Sequence, residues 1–116
     1  MKNKNQRLAC IDIGSNAIKY RQYRISTKKR KVFAELDTFK RISVRLGTDA
    51  FKFKKISSET EQKLLESIIK LKDKADKKDI KIISGVATSA MRTVSNGHKI
   101  CKKITKKTDI EIKILS

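Results

Sequence analysis

The sequence predicts an α/β domain built on a mixed five-stranded sheet, and three patterns support this fold class. Short apolar runs rich in β-branched residues at 8–13, 80–87 and 109–115 indicate buried strands. Apolar residues at helical spacing over 59–76 predict a helix between the first two of these runs. Because a strand, a helix and another strand in succession favour a right-handed crossover, the runs at 8–13 and 80–87 are expected to pair in parallel.

The first part of the chain predicts an antiparallel meander of three strands. The first apolar run ends at Gly14-Ser15, which has the composition of a tight hairpin turn. A second turn at 27–31 carries four positive charges. The expected strands of this meander are 7–13, 16–26 and 32–44.

The segment 48–56 is basic and has no clear period, so we expect it to be irregular. Phe51 and Phe53 alternate there with lysines, a pattern that also occurs on surfaces binding single-stranded nucleic acid. We expect the two rings to be tucked under the loop instead.

The helix predicted at 59–76 has a suitable start, with Ser58 as N-cap and Glu61 at the capping-box position. Further along, Thr88 is expected to cap a short helix and Asn96 a second helical run.

The last apolar run, 109–115, completes the element order βββαβαβ. This order matches a ribonuclease-H-like domain.

Length and composition limit the classes of protein to consider. The 116 residues fit one domain, 1–116, and 38% hydrophobic residues allow one modest core. No apolar run approaches the ~20 residues of a membrane helix. The polar, basic start at 1–7 has no apolar stretch behind it, which indicates no secretory signal and a cytoplasmic location without membrane partners.

Cys10 and Cys101 are expected to be buried thiols, and His98 to be exposed.

The charge balance favours polyanionic ligands. Thirty Lys and Arg residues against twelve Asp and Glu give a net charge of +18, which attracts nucleic acid, polyphosphate, nucleotides or acidic membranes. Because most of the excess is lysine, a general composition bias explains the charge equally well. The charge alone therefore does not identify the ligand.

Asp12 and the turn after it form the first candidate site. A carboxylate in a buried strand is costly unless it has a partner such as a metal ion, and Asp12 could hold Mg²⁺ directly or through water. The turn Gly14-Ser15-Asn16 offers backbone N–H groups and short polar side chains to an anion.

Two further motifs are expected at the same end of the sheet. Thr88 and Ser89 begin a helix, and Arg92 lies one turn into it, where a guanidinium can hold phosphate or form an ordinary surface ion pair. Arg45 follows the third strand. Because ligands of open α/β sheets bind at the carboxyl ends of strands, the three motifs are expected to converge.

With these residues in place, the chain resembles the N-terminal domain of the exopolyphosphatase and guanosine pentaphosphate phosphohydrolase (Ppx/GppA) family, which belongs to the actin-like ATPase superfamily. The resemblance covers nearly the whole chain in the family's order. The matching motifs are 11–19 (IDIGSNAIK), 44–47 (VRLG), 87–92 (ATSAMR) with Asn96-Gly97, and 109–116 (DIEIKILS).

The resemblance implies Mg²⁺-dependent hydrolysis of a phosphoanhydride, either the terminal phosphate of polyphosphate or the 5′-γ-phosphate of pppGpp. It does not distinguish these two ligands. Asp12 would be the catalytic residue of the metal and water network. The implied phosphate-binding residues are Gly14, Ser15, Asn16, Arg45, Thr88, Ser89 and Arg92.

The chain also departs from the family pattern. In the family, the last strand continues into a Gly-x-Glu-Glu-Ala loop with the general-base glutamate, whereas this sequence stops at Ser116. The second actin-like domain is absent too, and strand two is more polar than usual, with Arg21 and Arg24. We therefore expect half of such an enzyme, inactive alone and binding phosphate-rich anions weakly, which pairs with the missing domain or associates with itself through exposed apolar surface.

Two other functions remain open. One is a basic, non-catalytic module for RNA or other nucleic acid, which the charge and the two phenylalanines permit, although no known nucleic-acid motif is found. The other is a small kinase-like domain that binds ATP, for which the same second half is missing.

Overall fold

The computed structural model describes residues 6–116, so most of the expected basic lead-in at 2–7 lies outside the described residues. The described part contains five strands and four helices. The strands are β1 (Gln6–Ile13), β2 (Ala17–Lys28), β3 (Lys31–Ser43), β4 (Lys81–Ala87) and β5 (Ile112–Ile114); the helices are α1 (Leu46–Phe53), α2 (Ser58–Lys77), α3 (Ser89–Thr93) and α4 (Gly97–Thr108).

The strands form one mixed sheet in the order β3-β2-β1-β4-β5. The first three strands pair antiparallel, while β4 runs parallel to β1 and β5 runs parallel to β4. The predicted meander, the five-stranded mixed sheet and the parallel pairing of the first and fourth strands are confirmed. The fourth strand starts one residue later than expected, and the last strand has three residues where 109–115 was expected.

One face of the sheet carries the core. Ala9, Ile11 and Ile13 are each 1% exposed and join a cluster to which all four helices contribute. Successive side chains of a strand point to opposite faces, so Cys10 and Asp12 lie on the other, open face. Both are half-buried there, which corrects the expectations of a fully buried carboxylate and of a core position for Cys10.

The two turns of the meander are tight. In the first, the N–H of Gly14 donates to the carbonyl of Ala17 at 3.0 Å. In the second, Lys29 and Arg30 have φ values of 49° and 67°, the left-handed pair typical of a two-residue type I′ turn. The twist of this turn type matches that of the flanking strands, so it is used here even without glycine.

The hairpin of β2 and β3 has the two longest strands of the sheet, with 12 and 13 residues. A bulge between Gln22 and Tyr23 interrupts its register. The carboxylate of Asp37 accepts a hydrogen bond from Gln22 at 2.8 Å and forms an ion pair with Arg24 at 3.6 Å. The unusual polarity of β2 is therefore explained in part by its position in a hairpin whose outer end is exposed to solvent.

The segment expected to be irregular, 48–56, instead contributes most of helix α1. Leu46 is fully buried and Ala50 packs against the core, so one side of the helix is anchored. Phe51 and Phe53 are 88% and 66% exposed, and the expectation that they are tucked under a loop is wrong. The helix ends at Lys54, which has a left-handed φ of 54°.

Helix α2 is confirmed, but its N-cap is Ser57 and not Ser58. The Ser57 hydroxyl accepts a hydrogen bond from the N–H of Thr60 at 3.2 Å. Glu61 makes no capping box; its carboxylate pairs with Lys103 of α4 at 2.6 Å. The buried residues of the helix follow the predicted spacing, namely Leu64, Leu65, Ile68, Leu71 and Ala75.

Neither Thr88 nor Asn96 caps its helix through its side chain. The Asn96 amide instead bonds both backbone groups of Ile56, accepting from the N–H at 3.0 Å and donating to the carbonyl at 2.9 Å. This bridge fixes the start of α4 to the segment before α2. Position 96 is therefore structural.

Both cysteines are free thiols. Cys101 is buried, and burial raises the pKa of its thiol from 9.0 to about 11. His98 is exposed, as expected. Within residues 6–116, no helix has the length and apolar character needed to cross a bilayer.

Asp49 joins α1 to the start of α2. Its carboxylate accepts a hydrogen bond from the N–H of Ser57 at 2.8 Å. Burial acts to raise the pKa of Asp49, but the hydrogen bonds from Ser57 and Thr60, with the charge of Lys52, lower it below the ordinary value of 3.8. A lowered pKa in the folded state means that the carboxylate stabilises the fold above the unfolded-state pKa.

Replacing Asp49 with asparagine is expected to lower the free energy of unfolding at neutral pH by about 1 kcal/mol. The variant and the parent should become more similar in their free energy of unfolding as the pH falls from the ordinary aspartate pKa near 3.8 towards the lower pKa of Asp49 in the folded state. Urea denaturation across this pH range measures it, with exposed Asp73→Asn as control. A difference that stays constant down to about pH 2.5 would contradict the charged role of Asp49.

Candidate functional site

The three predicted motifs meet beyond the carboxyl ends of β1 and β4. The N–H of Thr88 donates to the carbonyl of Ile13 at 3.1 Å, which joins the start of α3 to the end of β1. The N–H of Gly47 donates to the carbonyl of Ser15 at 2.8 Å, which joins α1 to the turn 14–16. Three segments far apart in sequence are thus fixed against one another by backbone hydrogen bonds.

The centre of this arrangement is the contact between Ser15 and Ser89. Their hydroxyl oxygens are 3.1 Å apart although the residues are separated by 74 positions. Both side chains line an open cleft of about 600 Å³ between α1 and α3. The remaining lining residues are Gly47, Ala50, Phe51, Lys54, Ala90 and Thr93.

Close packing at this point is favoured by a glycine at position 47. A Cβ atom there would lie 3.2 Å from the Cβ of Ser15 and 3.4 Å from its carbonyl oxygen. The absence of a side chain lets α1 begin directly against the turn. The VRLG segment therefore shapes the cleft through its glycine.

Backbone donors accompany the two hydroxyls. Within residues 6–116, the N–H of Gly14 is taken by Ala17, whereas no acceptor pairs with the N–H groups of Ser15 and Asn16. The first N–H groups of α3, which starts at Ser89, have no partner inside the helix. Hydroxyls and N–H groups of this kind can hold the oxygens of an anion.

Asp12 lies apart from these donors, on the open face. Its carboxylate is 4.0 Å from the guanidinium of Arg21, and both side chains are 35% exposed. Residues 6–116 contain no group of three or more His, Cys, Asp or Glu side chains that could form a metal site alone. A single carboxylate still fits Mg²⁺, which is often held by one or two carboxylates, water and the phosphates of its ligand.

The two predicted arginines do not line the cleft. Arg45 is exposed at the N-terminus of α1 and borders a neighbouring depression, beside Asp49 and Glu59. The guanidinium of Arg92 donates a hydrogen bond to the carbonyl of Leu115 at 2.8 Å, joining α3 to the end of β5.

Lys54 and Phe51 are site residues that the sequence analysis did not select. Both line the cleft from α1, and the carbonyl of Lys54 is held by the N–H of Ser95 at 2.9 Å. The alternation of phenylalanine and lysine was visible in the sequence, but it gave no indication that α1 ends beside Ser15 and Ser89.

Solved structures with the same fold include several proteins of the Ppx/GppA family. A crystal structure of the Aquifex aeolicus family member matches with a TM-score of 0.84 and 19% identity, over 97% of this chain and 35% of that one. An exopolyphosphatase from Cytophaga hutchinsonii matches with a TM-score of 0.77 and 21% identity, over 95% of this chain and 34% of that one. The ribonuclease-H-like fold of this chain is thereby confirmed.

The chain spans about 35% of the length of the Aquifex structure. No family model matches the sequence, and a search of curated proteins finds no relative. At identities near 20%, the structural likeness shows the fold.

Proposed function

We propose that this chain belongs to the Ppx/GppA family and supplies one phosphate-binding wall of a phosphoanhydride hydrolase. The observation that carries the proposal is the 3.1 Å contact between the hydroxyls of Ser15 and Ser89. Ser15 comes from the motif that resembles the family's first phosphate loop, and Ser89 from the motif that resembles its Ala-Thr-Ser-Ala-x-Arg segment. They lie at the carboxyl ends of neighbouring parallel strands, where open α/β sheets bind ligands.

In this proposal, the turn 14–16 and the start of α3 hold the phosphate oxygens. The N–H groups of Ser15 and Asn16, beside Gly14, donate from one side, and the hydroxyls of Thr88 and Ser89 donate from the other. Lys54 also lines the cleft, and its ammonium group can accompany a longer polyanion.

Arg45 and Arg92 have secondary roles in this proposal. Arg45 is exposed and free to reach a chain of phosphates that continues past the cleft. Arg92 has to exchange its bond to Leu115 for one to phosphate, so its contribution to binding is expected to be smaller than that of Ser89.

Asp12 is the residue that would hold Mg²⁺, through water or directly. When bound, the ion neutralises phosphate charge. Arg21 competes for the same carboxylate at 4.0 Å. Asp12→Ala is therefore expected to remove the effect of Mg²⁺ on affinity while leaving metal-free binding nearly unchanged.

The ligands proposed are polyphosphate or a guanosine nucleotide such as pppGpp, because both present phosphoanhydride chains. The 116-residue chain is expected to bind without hydrolysis, since none of the residues lining the cleft is a carboxylate or a histidine that could activate water. The two free cysteines fit a reducing compartment, and we place the function in the cytoplasm.

Calorimetric titration with medium-length polyphosphate, with and without Mg²⁺, tests the proposal. Ser89→Ala is expected to weaken binding about tenfold, because it removes a hydrogen bond to a charged group. Ser67→Ala, which changes a remote exposed hydroxyl on α2, is the matched control and should bind like the parent. Asp12→Ala and Arg92→Ala complete the series.

Equal affinity in all variants, with a steep loss of binding at higher salt, would overturn the phosphate site and leave a general basic surface. Release of phosphate by the pure chain would overturn the expectation that it is inactive alone.

A basic nucleic-acid-binding module is the second candidate. The observation in its favour is that Phe51 and Phe53 are exposed on α1. Lys52 lies between the two rings in the sequence, and Lys54 follows them. Stacked bases contribute about 1–3 kcal/mol each. A single-stranded RNA oligomer that binds tightly, and loses about tenfold in affinity with Phe51→Ala, would favour this function over the phosphate site.

A further inference from the structure

The turn that joins β2 to β3 consists of four consecutive basic residues, 28–31 (KKRK), and this segment is named the basic tip. All four residues are exposed. The surrounding stretch 25–34 contains no acidic residue. Within residues 6–116, none of the four cations forms an ion pair.

The basic tip has a conformation that its own residues disfavour. Lys28 and Lys31 are paired across the two strands, and like charges directly opposite each other are destabilising. Lys29 and Arg30 have the positive φ values of a type I′ turn, for which Asn-Gly is the preferred sequence. Neutral residues would therefore give a more stable hairpin at these positions. Residues that oppose local stability in this way are typical of functional sites.

The charge of the chain is also unevenly distributed. Helix α2 carries five lysines and five acidic residues, whereas the stretch 25–34 carries four basic residues and no acid. The next acid along β3, Glu35, lies opposite Arg24 in the register. A general bias towards lysine would affect both segments alike. The concentration of charge at the basic tip therefore indicates a polyanionic ligand.

We propose that the basic tip binds double-stranded DNA, with the β2–β3 ribbon entering the major groove. This groove is about 12 Å wide and admits a two-stranded ribbon, whose strands lie about 4.8 Å apart. The major groove of A-form RNA is too narrow for side chains to enter. Proteins bind single strands largely by stacking bases on aromatic rings, and the basic tip has none.

One face of the ribbon beside the basic tip fits the floor of this groove. Alternate residues of a strand point to the same face, so the pair Lys28–Lys31 shares its face with the pair Ser26–Phe33. A serine hydroxyl bonds base edges, and a phenylalanine ring contacts the methyl group of thymine. We expect the phosphate contacts of the four cations to supply most of the affinity.

The basic tip is remote from the phosphate cleft. In the antiparallel pairing of β1 with β2, Ile25 lies opposite Gln6 at the start of β1, whereas Ile18 lies opposite Ile13 at its end. The cleft lies beyond the end of β1, and the basic tip lies beyond its start. The proposal therefore does not rest on the proposed function of the cleft.

Fluorescence anisotropy with a labelled DNA duplex of about 20 base pairs tests the proposal, at salt concentrations from about 50 to 300 mM. Each neutralised phosphate contributes about −0.9 to the slope of log K against log salt. Four contacts at the basic tip therefore give a slope of about −3.6.

The double variant Lys29→Asn with Arg30→Gly installs the preferred turn sequence and removes two charges. We expect its slope to be smaller by about 1.8 and its affinity at about 100 mM salt to be at least about tenfold weaker. Its melting midpoint by circular dichroism should equal or exceed that of the parent, because the turn is improved. Lost binding then cannot result from unfolding.

Two further double variants complete the series. Lys106→Gln with Lys107→Gln removes two exposed charges from α4 and is the matched control, which should bind within about twofold of the parent. Lys28→Gln with Lys31→Gln leaves the turn residues unchanged and should lose as much affinity as the Asn-Gly variant. It also serves as the test if the Asn-Gly variant melts at a lower temperature.

Several results would overturn the proposal. Equal losses in the tip variants and the α4 control, or no duplex binding at about 50 mM salt, would leave only the general charge of the chain. Equally tight binding of a single strand or of an RNA duplex would contradict insertion into the DNA groove. Tighter binding to phosphatidylserine vesicles than to the duplex would assign the basic tip to a membrane surface. A similar loss with Ser89→Ala would place the duplex in the cleft instead.

Discussion

Replacing Gly97 with alanine is expected to destabilise the protein by about 3 kcal/mol. A Cβ atom at position 97 would lie 2.1 Å from the carbonyl oxygen of Met91 and 3.1 Å from its carbonyl carbon. These are backbone atoms of α3, so the clash can be relieved only by moving one helix relative to the other. Gly97 is the first residue of α4, so alanine gains less helix propensity there than the about 1 kcal/mol of a helix interior, and a net loss of stability indicates the close approach.

Urea denaturation of Gly97→Ala measures this loss, and Gly14→Ala provides the control. At Gly14 the nearest atom to an added Cβ is the carbonyl oxygen of Ala17 at 3.4 Å, an ordinary contact. The control should therefore change the free energy of unfolding by less than about 1 kcal/mol. Equal effects at the two glycines would show that the packing of α3 against α4 is not as tight as the structure indicates.

Replacing Ile68 with alanine is expected to cost about 3 kcal/mol. The side chain is fully buried in α2, where it packs in the core under the sheet. Its truncation removes apolar contacts and leaves a cavity, and such changes typically cost about 2–5 kcal/mol. The loss should appear as a lower midpoint of urea denaturation with an unchanged slope.

The same substitution at Ile83 is the matched control. Ile83 lies in β4 beside the irregularity of its pairing with β1 and is 56% exposed. Ile83→Ala is expected to change the free energy of unfolding by less than about 1 kcal/mol. If Ile68→Ala were as mild as the control, the buried face of α2 would be assigned wrongly.

The sheet could be predicted because its strands carry local signals. The short apolar run around Ile11 and the β-branched run of β4 each indicate a strand, and the intervening helical pattern then favours their parallel pairing. Helix α1 escaped prediction because only Leu46 and Ala50 anchor it to the core. With two exposed phenylalanines and several lysines around them, the segment has no helical period.

The site was predictable in part. The convergence of Ser15 and Ser89 followed from the rule that places motifs at strand ends, and the structure brings the two hydroxyls together. The partner of Arg92 could not be foreseen, because the bond to Leu115 depends on the path of β5. The position of Asp12 on the open face could not be foreseen either. It depends on which of the two alternating sets of β1 side chains faces the helices.

The long hairpin of β2 and β3 has a consequence for local opening of the native state. Past Gln22 its strands contribute no residue to the buried core until Val44, so few apolar contacts resist separation of the two strands there. Opening of this outer half requires much less free energy than global unfolding. Amide protons near Ile25 and Ala34 should therefore exchange with solvent well before those of Ile11, and trypsin should cut first in the lysine-rich tip at 28–31.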